Sequence, residues 1–259
     1  MPPVQPVYFQ YDRRRRRVPR AVDGFLAAPV TTTLIALNVI VYLLDWYVQA
    51  TRGGLVVQFA GDPGEPVVRV FFTRVQFLGH FSALMGLYRY EVWRLITFQF
   101  LHANIIHLGM NMVGLYIFGP MVERHLGSAR FIRFYLICGV GGAVAYLVLL
   151  TKGFLVGAPW QPLVGASAGL FGILIAASQM APNAMVMMLF PPIPMRLRTL
   201  ARVLLLVAVW TIFTQGNNAG GEAAHLGGAV IGFLLMQGER LMGDPVVVRE
   251  RPAGYWDDD

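Results

Sequence analysis

The chain has 259 residues, of which 56% are hydrophobic and only 14% charged, with a formal net charge of +7. Ordinary soluble domains carry about 25% charged residues, and a soluble core would be built from shorter amphipathic segments, each with one wet face. The composition therefore excludes a soluble globular protein in favour of a polytopic membrane protein, and the single cysteine, Cys138, excludes a disulfide framework.

Residues 1–29 contain the basic cluster Arg13 to Arg17 with Arg20. Such a run can mimic a nucleic-acid patch. Directly before an apolar span it reads instead as a contact for anionic lipid, and no nucleic-acid partner is expected. No cleavable signal peptide is expected either, because the first apolar block begins near Val30 and is too long for an h-region. Six apolar blocks read as membrane helices, each crossing needing roughly 20 residues. They run from about Thr31 to Val48, Ala103 to Val122, Phe131 to Leu150, Leu163 to Met180, Leu200 to Phe213 and Ala223 to Gln237. The expected domain occupies residues 30–238, between a basic cytoplasmic segment at 1–29 and a cytoplasmic tail at 239–259.

The long connection from about Gln49 to His102 carries the apolar tracts Phe71-Phe72, Phe77-Leu78 and Leu84 to Leu87. They predict a partly inserted hairpin or short helices at the membrane surface. A second apolar tract, Met185 to Phe190, ends at Pro191-Pro192 and reads either as an extension of span four or as a dipping loop. Trp46, Tyr47 and Trp160 fit an interfacial aromatic belt. Asn38 reads as an interhelical contact, and Asp45 as a hydrated group near a span end.

Arginine placement sets the orientation. The connection after span two carries Arg124, Arg130 and Arg133, that after span four Arg196, Arg198 and Arg202, and the tail Arg240, Arg249 and Arg251. Gly153 to Pro162 and Thr214 to Gly221 contain no arginine, with Lys152 and Glu222 at their edges. Both termini are thus expected inside, and spans two, four and six run from outside to inside. Their amino-terminal halves then lie at one depth.

That depth gathers four polar residues from three helices. Ser167 is expected about one turn into span four and His225 at the start of span six, while His107 and Asn111 share one face of span two at i and i+4. Ionisable groups inside a membrane are costly and point to function. A serine becomes nucleophilic when an adjacent histidine takes its proton, at a separation of about 2.6–3.2 Å. Asn111, His107 and the Ser167 N–H can supply donors to an oxyanion. Glu222 is expected in the external loop, so a dyad is more economical than a triad. Gly165 with Gly169, and Gly228 with Gly232, form small-xxx-small pairs that let helices approach closely. His102 lies about 140° from His107 on a helical projection and takes a supporting role at most.

These residues resemble the rhomboid family of intramembrane serine proteases over about Val30 to Gly238. The matching pieces are Glu91-Val92-Trp93-Arg94, the run His102 to Asn111 in the order His-x4-His-x3-Asn, and Gly119-Pro120-Met121-Val122-Glu123 with Gly127-Ser128 and Phe131. Gly165-Ala166-Ser167 and Ala224-His225-Leu226-Gly227-Gly228 complete them. The resemblance implies an all-α, six-helix membrane bundle with a long, partly inserted first external loop. It implies Ser167 as nucleophile, His225 as base, Asn111 with His107 as the oxyanion site, and Trp93 with Arg94 as the pair that structures the loop. It implies cleavage of transmembrane or juxtamembrane segments without a cofactor, in a bacterial inner membrane by default. One position departs: the family's motif usually reads Gly-x-Ser-Gly, and Ala168 follows Ser167 here.

Other readings stand beside this one. Ser167 alone is a packing serine bonded to its own helix, and His107 with Asn111 alone is a structural hydrogen-bond pair. His80 and His125 read as surface residues, and Glu123 as structural. No His/Glu or His/Asp cluster has metal-ligand spacing on one helix. The alternative function is a non-catalytic rhomboid-like protein that binds membrane clients; that class lacks the serine–histidine pair. A small transporter is disfavoured by the lack of intramembrane carboxylates and repeat symmetry. The expected partners are transmembrane substrates and the lipid bilayer, and nothing in the sequence sets an oligomeric state.

Overall fold

The computed structural model describes residues 28–59, 67–188 and 192–241. The arginines at 13–17 and 20, the tip of the apolar tract at 189–191, and the tail with Arg249 and Arg251 lie outside the described residues. Six long helices form the described bundle: α1 (Pro29–Arg52), α2 (Ile105–Leu126), α3 (Ser128–Thr151), α4 (Ser167–Met180), α5 (Leu197–Phe213) and α6 (Ala219–Leu241). Four of them, α1, α2, α3 and α6, are long and apolar enough to cross a membrane. The other two are shorter, α4 with 14 residues and α5 with 17. The chain is an all-α membrane protein built on six helices.

Helix ends follow local chemistry. Pro29 opens α1 at a position where its missing N–H costs nothing. Ala28 offers α1 no side-chain cap, and Glu123 supplies one from α2. Its carboxylate accepts from the Val30 and Thr31 backbone N–H groups at 2.9 and 2.7 Å, and from Thr31 Oγ1 at 2.7 Å. Ser128 Oγ, at the start of α3, donates to the same carboxylate at 2.7 Å. One buried side chain thus joins three helix ends, as its structural reading anticipated. Gly127, with φ of 75°, turns the chain from α2 into α3 in a single residue.

The core gathers around α4, whose buried residues occur on every side: Ala168, Gly169, Gly172, Ile173, Leu174, Ile175, Ala176 and Ala177. A helix apolar all round is expected to be enclosed. Phe131, Tyr135 and Cys138 of α3 and Leu115 and Val122 of α2 complete this core. The backbones of α4 and α6 touch: a Cβ at Gly228 would lie 3.1 Å from Ala168 Cα, and one at Gly232 would meet Gly172 Cα at 2.6 Å. Asn38 is fully buried, donates to Leu34 O at 2.8 Å within α1, and lies beside Tyr135 of α3.

The long connection is the expected hairpin with short helices. Strands β1 (Leu55–Phe59) and β2 (Val68–Phe72) pair antiparallel, Leu55 against Phe72 and Phe59 against Val68. A helix over Arg74–Gly79 follows, capped by Thr73 Oγ1, which accepts from Gln76 N at 3.1 Å. A wider π-type turn covers Leu84–Tyr88, and a four-residue helix covers Arg94–Thr97. The tract at Met185 does not extend the helix of span four. β3 (Met185–Met187) pairs with β4 (Pro194–Arg196) in a second hairpin beyond the end of α4. Asp45 is also corrected: it is buried beside Thr73 and Val75, because the first connection folds back over it.

Candidate active site

The segment before α4 is fixed by the long connection. Phe81 and Leu163 exchange two backbone hydrogen bonds of 3.0 and 2.7 Å, and Gly165 N donates to Phe98 O at 2.9 Å. Gly165 has φ of 133°, which L side chains rarely adopt, and a Cβ there would meet His107 Cε1 and Nε2 at 2.8 Å and Ser167 Oγ at 3.4 Å. The bare Gly165 is therefore the spacer that lets the His107 ring approach Ser167. The helix starts later than expected: Ser167 is its first residue, not one turn in. Ala166 at the N-cap makes no side-chain hydrogen bond to α4, so the first N–H groups of the helix keep no side-chain cap.

Across from it, His225 Nε2 stands 2.7 Å from Ser167 Oγ. Phe171, one turn beyond Ser167, stacks on the His225 ring with centroids 4.3 Å apart and planes 8° from parallel. On the other side of the ring, His225 Nδ1 lies 2.9 Å from Glu222 Oε2. This corrects the loop placement of Glu222: α6 begins at Ala219, so Glu222 and His225 sit at i and i+3 on one helix face. Asn218 Nδ2 donates to the other carboxylate oxygen at 3.4 Å.

His107 and Asn111 come from α2, whose N-cap Asn104 accepts from His107 N at 2.9 Å. Asn111 Nδ2 donates to His107 O at 2.9 Å, which leaves its second amide hydrogen free to donate elsewhere. Ser167, His225, His107 and Asn111 line one cavity of about 720 Å³, so the four residues gathered from sequence do share a site.

Of the supporting residues, Gly165 lines this cavity, while His102, Trp93, Arg94, Gly169 and Gly228 sit around it. Arg94 is buried; its Nε donates to Glu91 Oε2 at 2.6 Å and its Nη1 to the carbonyls of Phe77 and His80 at 2.9 and 2.8 Å. It thereby ties the Arg74–Gly79 helix to the segment leading into α2. Trp93 is exposed, with the Arg94 guanidinium 6.0 Å from its ring centroid. Gly169 faces Tyr135, and Gly228 faces Ala168. The Gly165–Gly169 pair is not a helix-face pair, because Gly165 precedes the helix; Gly172 takes that place opposite Gly232.

His102 also precedes its helix, so a helical projection does not describe it. It is buried beside His107, ring centroids 5.1 Å apart, and neither ring nitrogen has a hydrogen-bond partner. Burial, reinforced by His107, pushes its pKa down to about 3. His80 is buried rather than on the surface. Its ring stacks on Phe72 at 4.7 Å with Nδ1 2.8 Å from Gln76 O, and burial pushes its pKa down to about 4.

Two contacts escaped the sequence reading, Phe171 on the His225 ring and Glu222 on its Nδ1. The signal for both was helical spacing, four residues after Ser167 and three before His225. Ala168 is accommodated by the absence of a side chain opposite. A Cβ on Gly142 of α3 would meet the Ala168 methyl at 2.6 Å.

A model of the Rhomboid domain matches residues 89–238. The protein named RHOMBOID-like protein 6, mitochondrial, of Arabidopsis thaliana is 32% identical over 178 residues, 64% of this chain and 56% of that protein. Rhomboid protease GluP of Bacillus subtilis (strain 168) is 33% identical over 148 residues, 55% of this chain and 25% of its own. Rhomboid protein 1, mitochondrial, of Saccharomyces cerevisiae is 32% identical over 172 residues, 61% and 45%. The chain thus spans from a quarter to little over half the length of these relatives.

Proposed function

The chain belongs to the rhomboid family, and on that premise we propose that it is an intramembrane serine endopeptidase with Ser167 as nucleophile and His225 as base. The observation that carries this reading is the 2.7 Å contact between Ser167 Oγ and His225 Nε2, made between two helices at the edge of a cavity. A packing serine would bond back to its own helix instead.

The chemistry follows from the geometry. Ser167 Oγ attacks the scissile carbonyl carbon while His225 Nε2 takes its proton. The carbonyl oxygen becomes an oxyanion within reach of Asn111 Nδ2, His107 and the Ser167 N–H at the start of α4. Collapse breaks the C–N bond, and the imidazolium gives its proton to the leaving amine. Water, deprotonated by His225, then attacks the ester; the acyl carbon leaves as a carboxylic acid and Ser167 regains its proton. No step draws on a cofactor. Substrates are transmembrane or juxtamembrane segments that unwind locally, since a helical amide is shielded by its own hydrogen bonds. The proteolytic domain spans 30–238, with cytoplasmic segments at 1–29 and 239–259, in a bacterial inner membrane.

The test is cleavage of a transmembrane reporter by purified wild type, Ser167→Ala and His225→Ala, each checked for folding in detergent, with fluorophosphonate labelling alongside. Cleavage and labelling by wild type alone are expected. Equal cleavage by the Ser167→Ala protein overturns Ser167 as the nucleophile, and a wild type that neither cuts nor labels overturns the proposal in favour of client binding.

A further inference from the structure

We infer that Glu222 is a positioning residue for His225, holding the imidazole in the tautomer and orientation in which Nε2 is bare toward Ser167; this rests on the proteolytic reading above. His225 is gripped at three places: Nε2 at Ser167 Oγ, the ring face on Phe171, and Nδ1 at Glu222 Oε2, 2.9 Å away. An ionised carboxylate only accepts hydrogen bonds. Facing one, Nδ1 carries the hydrogen and donates it, so the lone pair is left on Nε2, where the Ser167 proton must go. Without this partner either nitrogen can carry the hydrogen, and the fraction protonated at Nε2 cannot act as base.

The carboxylate is itself held. Asn218 Nδ2, one turn earlier, donates to Oε1 at 3.4 Å, giving a line of contacts Asn218–Glu222–His225–Ser167 from the start of α6 to the start of α4. The His225 and Glu222 side chains are 15% and 17% exposed, so the pair is largely withdrawn from the solvent that weakens surface ion pairs. A negative charge at Nδ1 also stabilises the imidazolium formed when Ser167 attacks. The other titratable groups on this cavity are His107 of α2 and Tyr146 of α3, and neither can accept from Nδ1 as a carboxylate does. The competing role for Glu222 is a favourable charge in the first turn of α6. That role makes no demand on the His225 tautomer.

Imidazole-¹⁵N-labelled protein in detergent micelles separates the two roles, with His225→Ala identifying the resonances. Wild type is expected to show neutral His225 protonated at Nδ1, and the isosteric Glu222→Gln variant a mixture of tautomers. In the same variant, kcat for reporter cleavage falls about tenfold or more with KM changed less than about threefold. Unchanged tautomer and kcat in a folded Glu222→Gln protein overturn the inference while leaving the protease reading intact. If wild type neither cleaves nor labels, that reading fails, and the tautomer measurement still decides whether Glu222 orients His225.

Discussion

At the scale of single residues, the candidate site depends on the side chains that are missing as much as on those present. Gly165 holds a backbone angle that disfavours any L side chain, and its hydrogen is all that separates it from the His107 ring. An alanine there is strained by about 1–3 kcal/mol and pushes His107 away from Ser167. Displacements of about 1 Å at such a site can cost on the order of 10²-fold in rate. Gly165→Ala is therefore expected to lose most fluorophosphonate labelling, whereas Gly109→Ala, on the same end of α2 with nothing within 4 Å of the new methyl, labels like wild type. Equal labelling rates in both variants contradict this account. Ala168 shows the same economy in reverse: the extra methyl beside the nucleophile fits because Gly142 stands opposite.

At the scale of helices, Glu123 takes on work usually done by a local cap. Its replacement by alanine leaves the Val30 and Thr31 N–H groups and the Thr31 and Ser128 hydroxyls without their acceptor. Each buried donor left unpaired costs about 1–3 kcal/mol. Glu123→Ala is expected to lower the thermal midpoint in detergent sharply, with the surviving folded fraction still labelled at Ser167; an unchanged midpoint refutes it. The existence and order of the helices were legible from apolar runs, since burial in lipid or in the core selects the same residue types. The starts of α4 and α6 were not. Leu163 to Ala166 is as apolar as a helix, but its backbone is held by Phe81 and Phe98, far away in sequence. Thr214 to Gly221 is rich in turn residues, and that composition concealed the turn of α6 carrying Glu222. Ser167, His225, His107 and Asn111 were readable because few polar residues occur inside such spans. Burial of His80 and His102 was not readable, because it is created by the long connection folding over them.

At the scale of the whole molecule, that connection makes stability depend on pH. His80 and His102 stay neutral in the fold, with pKa values of about 4 and 3, whereas an unfolded chain takes up their protons near 6.5. Between those values the unfolded state binds more protons, so stability is fully present above about pH 6.5 and falls as the pH drops toward 4 and then 3. The loss is on the order of a few kcal/mol. Thermal midpoints in detergent at about pH 7.5, 5.5 and 4.5 are expected to fall in that order, with a shallower slope in His102→Leu; a flat series, or an unaltered slope in the variant, counts against it. The unequal helix lengths have a different consequence, for the lipid. At about 1.5 Å per residue, the 14 and 17 residues of α4 and α5 reach about 21 and 26 Å, against about 33 to 36 Å for α1, α2 and α3. Because α5 turns Leu206, Trp210 and Phe213 outward, the bilayer meets a low wall there and a tall one elsewhere. A hydrocarbon slab of about 30 Å has to pinch on the low side, at a fraction of a kcal/mol per Å of mismatch. The protein is therefore a tapered plug that draws the water–lipid boundary down along α5.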